Sequence, residues 1–121
     1  MIPVPVFAGQ TVAVLGLARS GLTAARALKA GGANVIAWDD QEKGRAAAEG
    51  EIALADPATW DWNAVKALVL SPGIPLTHPK PHPVAAEAIA RGVEVIGDVE
   101  LFYRALKSMG FVNGNGGAPF F

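Results

Sequence analysis

A glycine-spaced segment near the beginning of the chain, GLARSG at residues 16–21, contains residue types that could bind a phosphate. It follows the apolar run Val12–Leu15 and precedes a segment with helical periodicity, which is the context of a nucleotide-binding turn. In a dinucleotide fingerprint, one glycine makes the tight turn, a second admits the pyrophosphate, and a third lets the helix pack on the strand. Gly16 and Gly21 fit the first and third roles, whereas the methyl group of Ala18 hinders the close approach of a dinucleotide.

The helix predicted to start near Ser20 or Gly21 supplies an anion site of its own, because its first N–H groups and its dipole favour negative charge. Arg19 lies at the predicted start of this helix and could pair with phosphate, and Ser20 could cap the helix or donate a hydrogen bond to a phosphate oxygen. The segment alone leaves three interpretations open: a dinucleotide site, a site for another phosphate compound, or a glycine-rich turn without a ligand.

Two carboxylates end the second apolar run, NVIAWDD at residues 34–40. Asp39 lies 18 residues after Gly21, close to the separation of about 20 at which a dinucleotide fold places the acid that binds the ribose. A carboxylate there disfavours a 2′-phosphate, so NADP fits poorly. Asp40 is equally well explained as the N-cap of a short helix over Gln41–Glu49.

A proline-bounded turn, SPGIP at residues 71–75, follows the third apolar run. Ligands of open α/β sheets bind at the carboxyl ends of the strands, but the turn taken alone is explained as well without a ligand as with one. His78 and His82 follow in a proline-rich stretch. No third ligand at a suitable spacing accompanies them, so we interpret them as exposed loop residues, with His82 near a helix start.

Four short apolar runs are predicted to form the strands that position these turns: Val12–Leu15, Val35–Trp38, Ala67–Leu70 and Val93–Ile96. The runs are continuous rather than alternating, which is typical of parallel strands covered on both faces, and Glu94 indicates an edge or partly solvated strand. Helical segments alternate with them, beginning near Ser20, Gln41, Asp56-Pro57, Pro83 and Asp98. This order predicts an α/β fold with a single Rossmann-like, doubly wound parallel sheet and flanking helices, onto which Trp60 and Trp62 pack.

The composition excludes several classes of protein. A chain of 121 residues with 51% hydrophobic and 17% charged residues predicts one folded domain. The net charge of -1 argues against a nucleic-acid or membrane surface, and the absence of cysteine excludes disulfides, thiol catalysis and thiolate metal sites. No apolar run is long enough to span a membrane, and the first residues lack the basic start of a signal peptide. We expect no nucleic-acid or membrane partner.

In combination, the motifs are more specific than any one of them. GLARSG, WDD, LVLSPGIP followed by HP, and VIGDVELFYR occur in this order at residues 16–104. Over about residues 8–107 the chain resembles the N-terminal domain of the Mur ligases of bacterial peptidoglycan synthesis, most closely their D-glutamate-adding branch. SPGIP and the GD-x-ELF pattern carry most of this resemblance, since a dinucleotide enzyme has no reason to contain either.

The resemblance implies that the domain binds the UDP part of UDP-N-acetylmuramoyl-L-alanine, in a bacterial cytoplasm, rather than NAD. Backbone N–H groups at residues 19–21 would hold the diphosphate, with no glycine needed at Ala18. Asp39 and Asp40 would lie at the uracil and ribose end, and Ser71 and Gly73 would line the other side. The candidate UDP-binding residues are thus Gly16, Ala18, Arg19, Ser20, Gly21, Asp39, Asp40, Ser71 and Gly73, with no catalytic or metal-binding residue among them.

The chain departs from the family after its last predicted helix. The family's amide-forming reaction requires ATP and Mg²⁺ and uses a phosphate loop, whereas no G-x-x-x-x-G-K-[ST] motif occurs anywhere in this sequence. We therefore divide the chain into a UDP-binding domain over residues 1–107 and an irregular Gly/Asn-rich tail over residues 108–121. We expect the family's central ATPase and C-terminal domains to be absent, and the chain alone to bind no cofactor and to ligate nothing.

Two alternatives stay open. A small NAD-binding regulatory module is favoured by the glycine spacing and Asp39, and opposed by Ala18 and the SPGIP turn. A folded fragment with weak binding is the other, because the family's substrate also contacts the absent central domain. In either case, apolar side chains of the tail favour self-association: Phe111, Phe120 and Phe121.

Overall fold

The computed structural model describes residues 7–71 and 82–108. The predictions for Gly73, His78 and the apolar tail residues lie outside these ranges. The strands are β1 (Thr11–Leu15), β2 (Asn34–Trp38), β3 (Ala53–Leu54), β4 (Val65–Leu70) and β5 (Glu94–Gly97). The helices are α1 (Arg19–Ala30), α2 (Glu42–Ala48), α3 (Pro83–Ala90) and α4 (Asp98–Ser108), and a 3₁₀ turn covers Pro57–Thr59. Within the described ranges, no helix combines the length and apolarity needed to cross a membrane.

The five strands form one parallel sheet in the order β3-β2-β1-β4-β5. The predicted α/β fold is confirmed, and each of the four predicted strands is present. The sequence analysis did not single out β3, whose two residues lie in the short apolar stretch 52–55 and pair with Ile36 and Ala37 of β2. β5 lies at one edge of the sheet, as the polar Glu94 indicated.

The core lies on both faces of the sheet, as continuous apolar strands require. Val12 and Val14 of β1 pack into a cluster with α1 and α4, whereas Ala13 and Leu15 pack into a second cluster with α3. Trp60 and Trp62 belong to the second cluster, with their ring centroids 5.3 Å apart. Their predicted packing onto the sheet is confirmed.

The helix boundaries correct three details of the sequence interpretation. α1 starts at Arg19, and its N-cap is Ala18, which has no side-chain hydrogen bond to the helix. Ser20 is therefore inside the helix and does not cap it. The N-cap of α2 is Gln41 rather than Asp40. The expected Asp56 cap is present, although the turn it begins is a 3₁₀ turn.

A salt bridge fixes the last helix to the sheet edge and makes a small pH dependence of stability predictable. The Nη1 and Nη2 groups of Arg104 donate hydrogen bonds to the two carboxylate oxygens of Glu94, at 2.8 and 3.0 Å. These hydrogen bonds hold the pKa of Glu94 below its ordinary value of 4.5. A carboxylate whose pKa is lower in the folded state stabilises the fold at pH values above its unfolded-state pKa. This stabilisation is lost as the pH falls through the folded-state pKa.

We expect Arg104→Gln to remove that acid-sensitive stabilisation. Both side chains are partly exposed, at 32% for Arg104 and 50% for Glu94, so the change amounts to less than about 1 kcal/mol at neutral pH. Urea denaturation between about pH 3 and pH 7, followed by tryptophan fluorescence, measures it. Lys107→Gln removes the same charge from the same helix and serves as the control. An equal effect of both variants would contradict a specific role for the Glu94–Arg104 pair.

Candidate functional site

The ends of three neighbouring strands lie at one edge of the sheet. β2, β1 and β4 are neighbours and parallel, so Asp39, Gly16 and Ser71, the residues that directly follow them, lie side by side at their carboxyl ends. Hydrogen bonds join the turn after β1 to the ends of both neighbours: Leu17 to Asp39 and Gly16 to Ser71. The structure thus brings together the first residues of the three segments.

Asp39 fastens the β2–α2 turn to the glycine turn. Its Oδ2 accepts a hydrogen bond from the Leu17 backbone N–H at 2.7 Å, and its Oδ1 accepts one from the Gln41 N–H at 2.8 Å. The sequence predicted a ligand-binding carboxylate here and gave no sign of this structural role. Each carboxylate oxygen has a second lone pair, so the two roles are compatible.

The third glycine of the turn has the packing role expected of it. A Cβ at Gly21 would lie 1.8 Å from the Gly16 carbonyl oxygen and 2.3 Å from the Ser71 Oγ. Ser71 is buried, with 6% of its surface exposed. Its hydroxyl donates to the Gly16 carbonyl at 2.8 Å, and its N–H donates to the Leu15 carbonyl at 3.1 Å. Ser71 thus fixes the glycine turn to the end of β4 through these two hydrogen bonds.

The turn itself depends on Gly16, which adopts a φ of +93°. That left-handed conformation disfavours any residue with a Cβ. The Gly16 N–H donates to the Trp38 carbonyl at 2.8 Å. The chain then enters α1 through the extended residue Ala18, with φ −66° and ψ −179°. The first turn of α1 contains no acidic residue and no side-chain cap, so the positive end of the helix dipole is not neutralised from within the helix.

A cavity of about 490 Å³ opens between the glycine turn and α2. It is lined by residues of both elements: Leu17, Ala18, Arg19, Leu22, Asp39, Gln41, Lys43, Gly44 and Ala47. This volume is in the range of small-molecule sites. The lining combines apolar side chains with the cationic groups of Arg19 and Lys43 and the carboxylate of Asp39. Such a cavity suits a ligand with an apolar ring and an anionic group.

The lining includes three of the predicted site residues, Ala18, Arg19 and Asp39. The other described candidates are near the cavity but do not line it: Gly16, Ser20, Gly21, Asp40 and Ser71. Sequence reasoning did not single out Leu17, Gln41 or Lys43. The first two were detectable as the direct neighbours of Ala18 and Asp40, whereas Lys43 lines the cavity because α2 lies across it from the glycine turn.

Two residues of α2 bring this helix close to the end of β2. A Cβ at Gly44 would lie 2.3 Å from the Asp39 Oδ2, so a glycine is needed within this helix for close approach to the carboxylate. The Arg45 guanidinium lies 4.7 Å from the centroid of the Trp38 ring, and its Nη1 donates to the Asp39 carbonyl at 2.7 Å. Arg45 therefore holds α2 against the end of β2.

His82 differs from the exposed loop residue that the sequence suggested. Its side chain is 15% exposed, and its Nε2 lies 2.5 Å from the Asp40 Oδ2. Its Nδ1 accepts a hydrogen bond from the Val84 N–H at 3.1 Å, which makes His82 the N-cap of α3. Its predicted position at a helix start is confirmed. Among residues 7–71 and 82–108, no three His, Cys, Asp or Glu side chains come together as in a metal centre.

Comparison with known proteins decides the family. No family model matches the chain. The UDP-N-acetylmuramoylalanine–D-glutamate ligase of Caulobacter sp. (strain K31) is 57% identical over 109 residues, which cover 89% of this chain and 23% of that enzyme. The enzyme of the same name from Rhizobium meliloti (strain 1021) is 58% identical over 106 residues, covering 86% of this chain and 23% of the enzyme. The chain belongs to this ligase family.

The D-glutamate ligase family is thus the one that the motifs predicted, and the chain spans less than a quarter of the length of these curated relatives. Shikimate dehydrogenase from Aquifex aeolicus shares the fold, with a TM-score of 0.60 and 15% identity, over 93% of this chain and 51% of the dehydrogenase. At that identity the likeness concerns the Rossmann-type architecture alone.

Proposed function

We propose that this domain binds the UDP part of UDP-N-acetylmuramoyl-L-alanine for a D-glutamate-adding ligase. The observation that carries the proposal is the cavity at the carboxyl end of the sheet, which joins the uncapped start of α1 to Arg19, Lys43 and Asp39. Relatives more than half identical to the chain are named for a UDP-N-acetylmuramoyl substrate. A nucleoside diphosphate has both the ring and the anionic group that the lining suits.

In the proposed complex, the diphosphate lies at the N-terminus of α1. Backbone N–H groups of residues 19–21 face it, and the guanidinium of Arg19 adds a charge-assisted contact. Ala18 need not be glycine, because the extended backbone at this position already leads the chain directly into the helix. The uridine lies toward Asp39, whose oxygens keep one lone pair each for an N–H or hydroxyl donor.

Ser71 contributes indirectly in this proposal. Its hydroxyl is buried and donates to the Gly16 carbonyl, so it fixes the turn that carries the diphosphate site. ATP-dependent ligation, with its Mg²⁺, belongs to the whole ligase in this proposal. The chain contains no G-x-x-x-x-G-K-[ST] motif to bind the ATP phosphates, so we infer that the isolated chain binds substrate without ligating it.

An NAD-binding module is the second candidate, and Asp39 is the observation that favours it. The carboxylate ends β2 next to the glycine turn, where dinucleotide folds place their ribose-binding acid. Against it stand the methyl group of Ala18 in the cavity lining and the family of the relatives.

Calorimetric titration of the purified chain with UDP-N-acetylmuramoyl-L-alanine, and in parallel with NAD, tests the proposal. We expect binding of the UDP compound alone. Arg19→Ala is expected to weaken it about tenfold, because loss of one charge-assisted phosphate contact costs roughly 1.4 kcal/mol. The matched control is Arg91→Ala, which removes the same charge at the far end of α3 and should bind as the wild type does.

Two results would contradict the proposal. Binding of NAD alone would identify a dinucleotide module, with Asp39 as its ribose-binding acid. The absence of a binding signal with either ligand at millimolar concentration would mean that the cavity does not bind the substrate in this chain.

A further inference from the structure

A second contact crosses the carboxyl edge of the sheet beside the cavity. Asp40 lies between Asp39 and Gln41 in the turn after β2, and its carboxylate binds the His82 ring at the start of α3. The two residues are 42 positions apart in the chain. The Asp40 side chain is 59% exposed, whereas that of His82 is 15% exposed, so the histidine is the anchored partner of the pair.

The hydrogen bonds of His82 assign its tautomer. The Val84 N–H donates to Nδ1, so Nδ1 must have a free lone pair and the neutral ring must have its proton on Nε2. Nε2–H then points at the Asp40 Oδ2, 2.5 Å away. Both ring nitrogens are committed, one to the cap of α3 and the other to the turn after β2. This arrangement fixes the ring orientation without requiring a positive charge on the histidine.

The pair completes a set of three links around the site. Asp39 joins the β2–α2 turn to the glycine turn, Ser71 joins the end of β4 to the glycine turn, and the Asp40–His82 pair joins the β2–α2 turn to α3. The first two links meet at the glycine turn that follows β1. The third fixes the outer side of the β2–α2 turn, whose Asp39 and Gln41 form one wall of the cavity.

We propose that His82 is a positioning residue of the cavity, which acts through Asp40 to hold the β2–α2 turn in its binding geometry. The part of this inference that concerns the ligand rests on the proposed function; the part that concerns the turn does not. The expected consequence in the free domain is protection of the Leu17 and Gln41 amides, because both are bonded to Asp39 in the same turn. In the complex, the expected consequence is tighter binding of the UDP compound.

Four variants separate the pair from other effects. His82→Asn keeps a capping oxygen for the Val84 N–H but is too short to reach Asp40, so it removes the link and preserves the N-cap. Asp40→Ala removes the link from the other side. Asp40→Asn retains an oxygen that can accept from Nε2–H, so the Leu17 and Gln41 amides should exchange nearly as in the wild type. The matched control is Glu51→Ala, which breaks the Arg26–Glu51 ion pair between α1 and the segment after α2 at a separate cavity.

The experiment combines amide hydrogen exchange by NMR on the free chain with calorimetric titration by UDP-N-acetylmuramoyl-L-alanine. For His82→Asn and Asp40→Ala, we expect the Leu17 and Gln41 amides to exchange at least fivefold faster and the affinity to fall three- to tenfold. Asp40→Asn should keep the slow amide exchange of the wild type, and Glu51→Ala should change neither exchange nor affinity.

Three results would contradict the proposed role of the Asp40–His82 pair or the proposed function. If His82→Asn and Asp40→Ala match Glu51→Ala in both exchange and affinity, the inference is wrong. If the amides exchange faster while the affinity is unchanged, the role in the cavity is overturned. If the wild type does not bind the UDP compound, the proposed function fails, and unchanged exchange in the variants would then overturn the inference as well.

Discussion

Replacing Gly21 with alanine is expected to lower the free energy of unfolding by about 3 kcal/mol or more. The added methyl group would lie 1.8 Å from the Gly16 carbonyl oxygen, a backbone atom, and 2.3 Å from the Ser71 hydroxyl. Neither neighbour can retreat at low cost, because Gly16 is held in a left-handed turn and Ser71 is buried. Either the hydrogen bond between them breaks or α1 moves away from the sheet.

Urea denaturation followed by tryptophan fluorescence measures this effect, since Trp60 and Trp62 are buried in the core. Gly97→Ala is the matched control: a Cβ there meets no atom within 4 Å, so its stability should stay within about 0.5 kcal/mol of the wild type. A Gly21→Ala variant as stable as the Gly97→Ala variant would show that α1 does not pack on the glycine turn as described.

Asp39→Ala has the second-largest expected effect, and it combines stability with binding. The Leu17 and Gln41 N–H groups would lose their shared acceptor. Hydrogen bonds to a charged group each contribute about 1.5–3 kcal/mol, so we expect a loss of roughly 3 kcal/mol of stability. Binding of the UDP compound should weaken as well, because the turn that forms one wall of the cavity is released.

Asp39→Asn distinguishes the two roles of this residue. Asparagine keeps one acceptor oxygen but turns its NH₂ group toward the second N–H, so we expect an intermediate loss of stability by urea denaturation. The control is Asp61→Ala, which removes an aspartate that accepts a single local hydrogen bond from Asn63 and should cost less than about 1 kcal/mol. If Asp39→Ala costs no more than Asp61→Ala, Asp39 does not fasten the two turns together.

The sequence predicted the α/β fold because its strongest signals are local. The four longer strands are continuous apolar runs, and the helices between them begin at recognisable positions such as Asp56-Pro57 and Pro83. β3 was missed because a strand of two residues has no periodicity to detect. Propensity likewise placed the caps of α1 and α2 on polar residues, whereas the turns that enter these helices are fixed by Asp39 and by the extended Ala18.

The motifs identified the family and the edge of the sheet where its turns meet, but not the contacts among them. The Asp39 contact with the Leu17 N–H, the support of Gly16 by Ser71, and the His82–Asp40 contact each join residues 22 to 55 positions apart. Pairings at such separations follow from strand order and register. Lys43 and Leu17 line the cavity for the same reason, since the placement of α2 and of the glycine turn on either side of it decides which side chains face it.

Chemical-shift mapping by NMR determines whether the UDP compound binds in the cavity between the glycine turn and α2. Spectra of the ¹⁵N-labelled chain would be recorded as UDP-N-acetylmuramoyl-L-alanine is added up to millimolar concentration. If the compound binds there, we expect the largest shifts at the amides of residues 17–22 and 39–44, with little change around Arg26 and Glu51 at the separate cavity. Shifts confined to other parts of the chain, or no shifts at all, would contradict it.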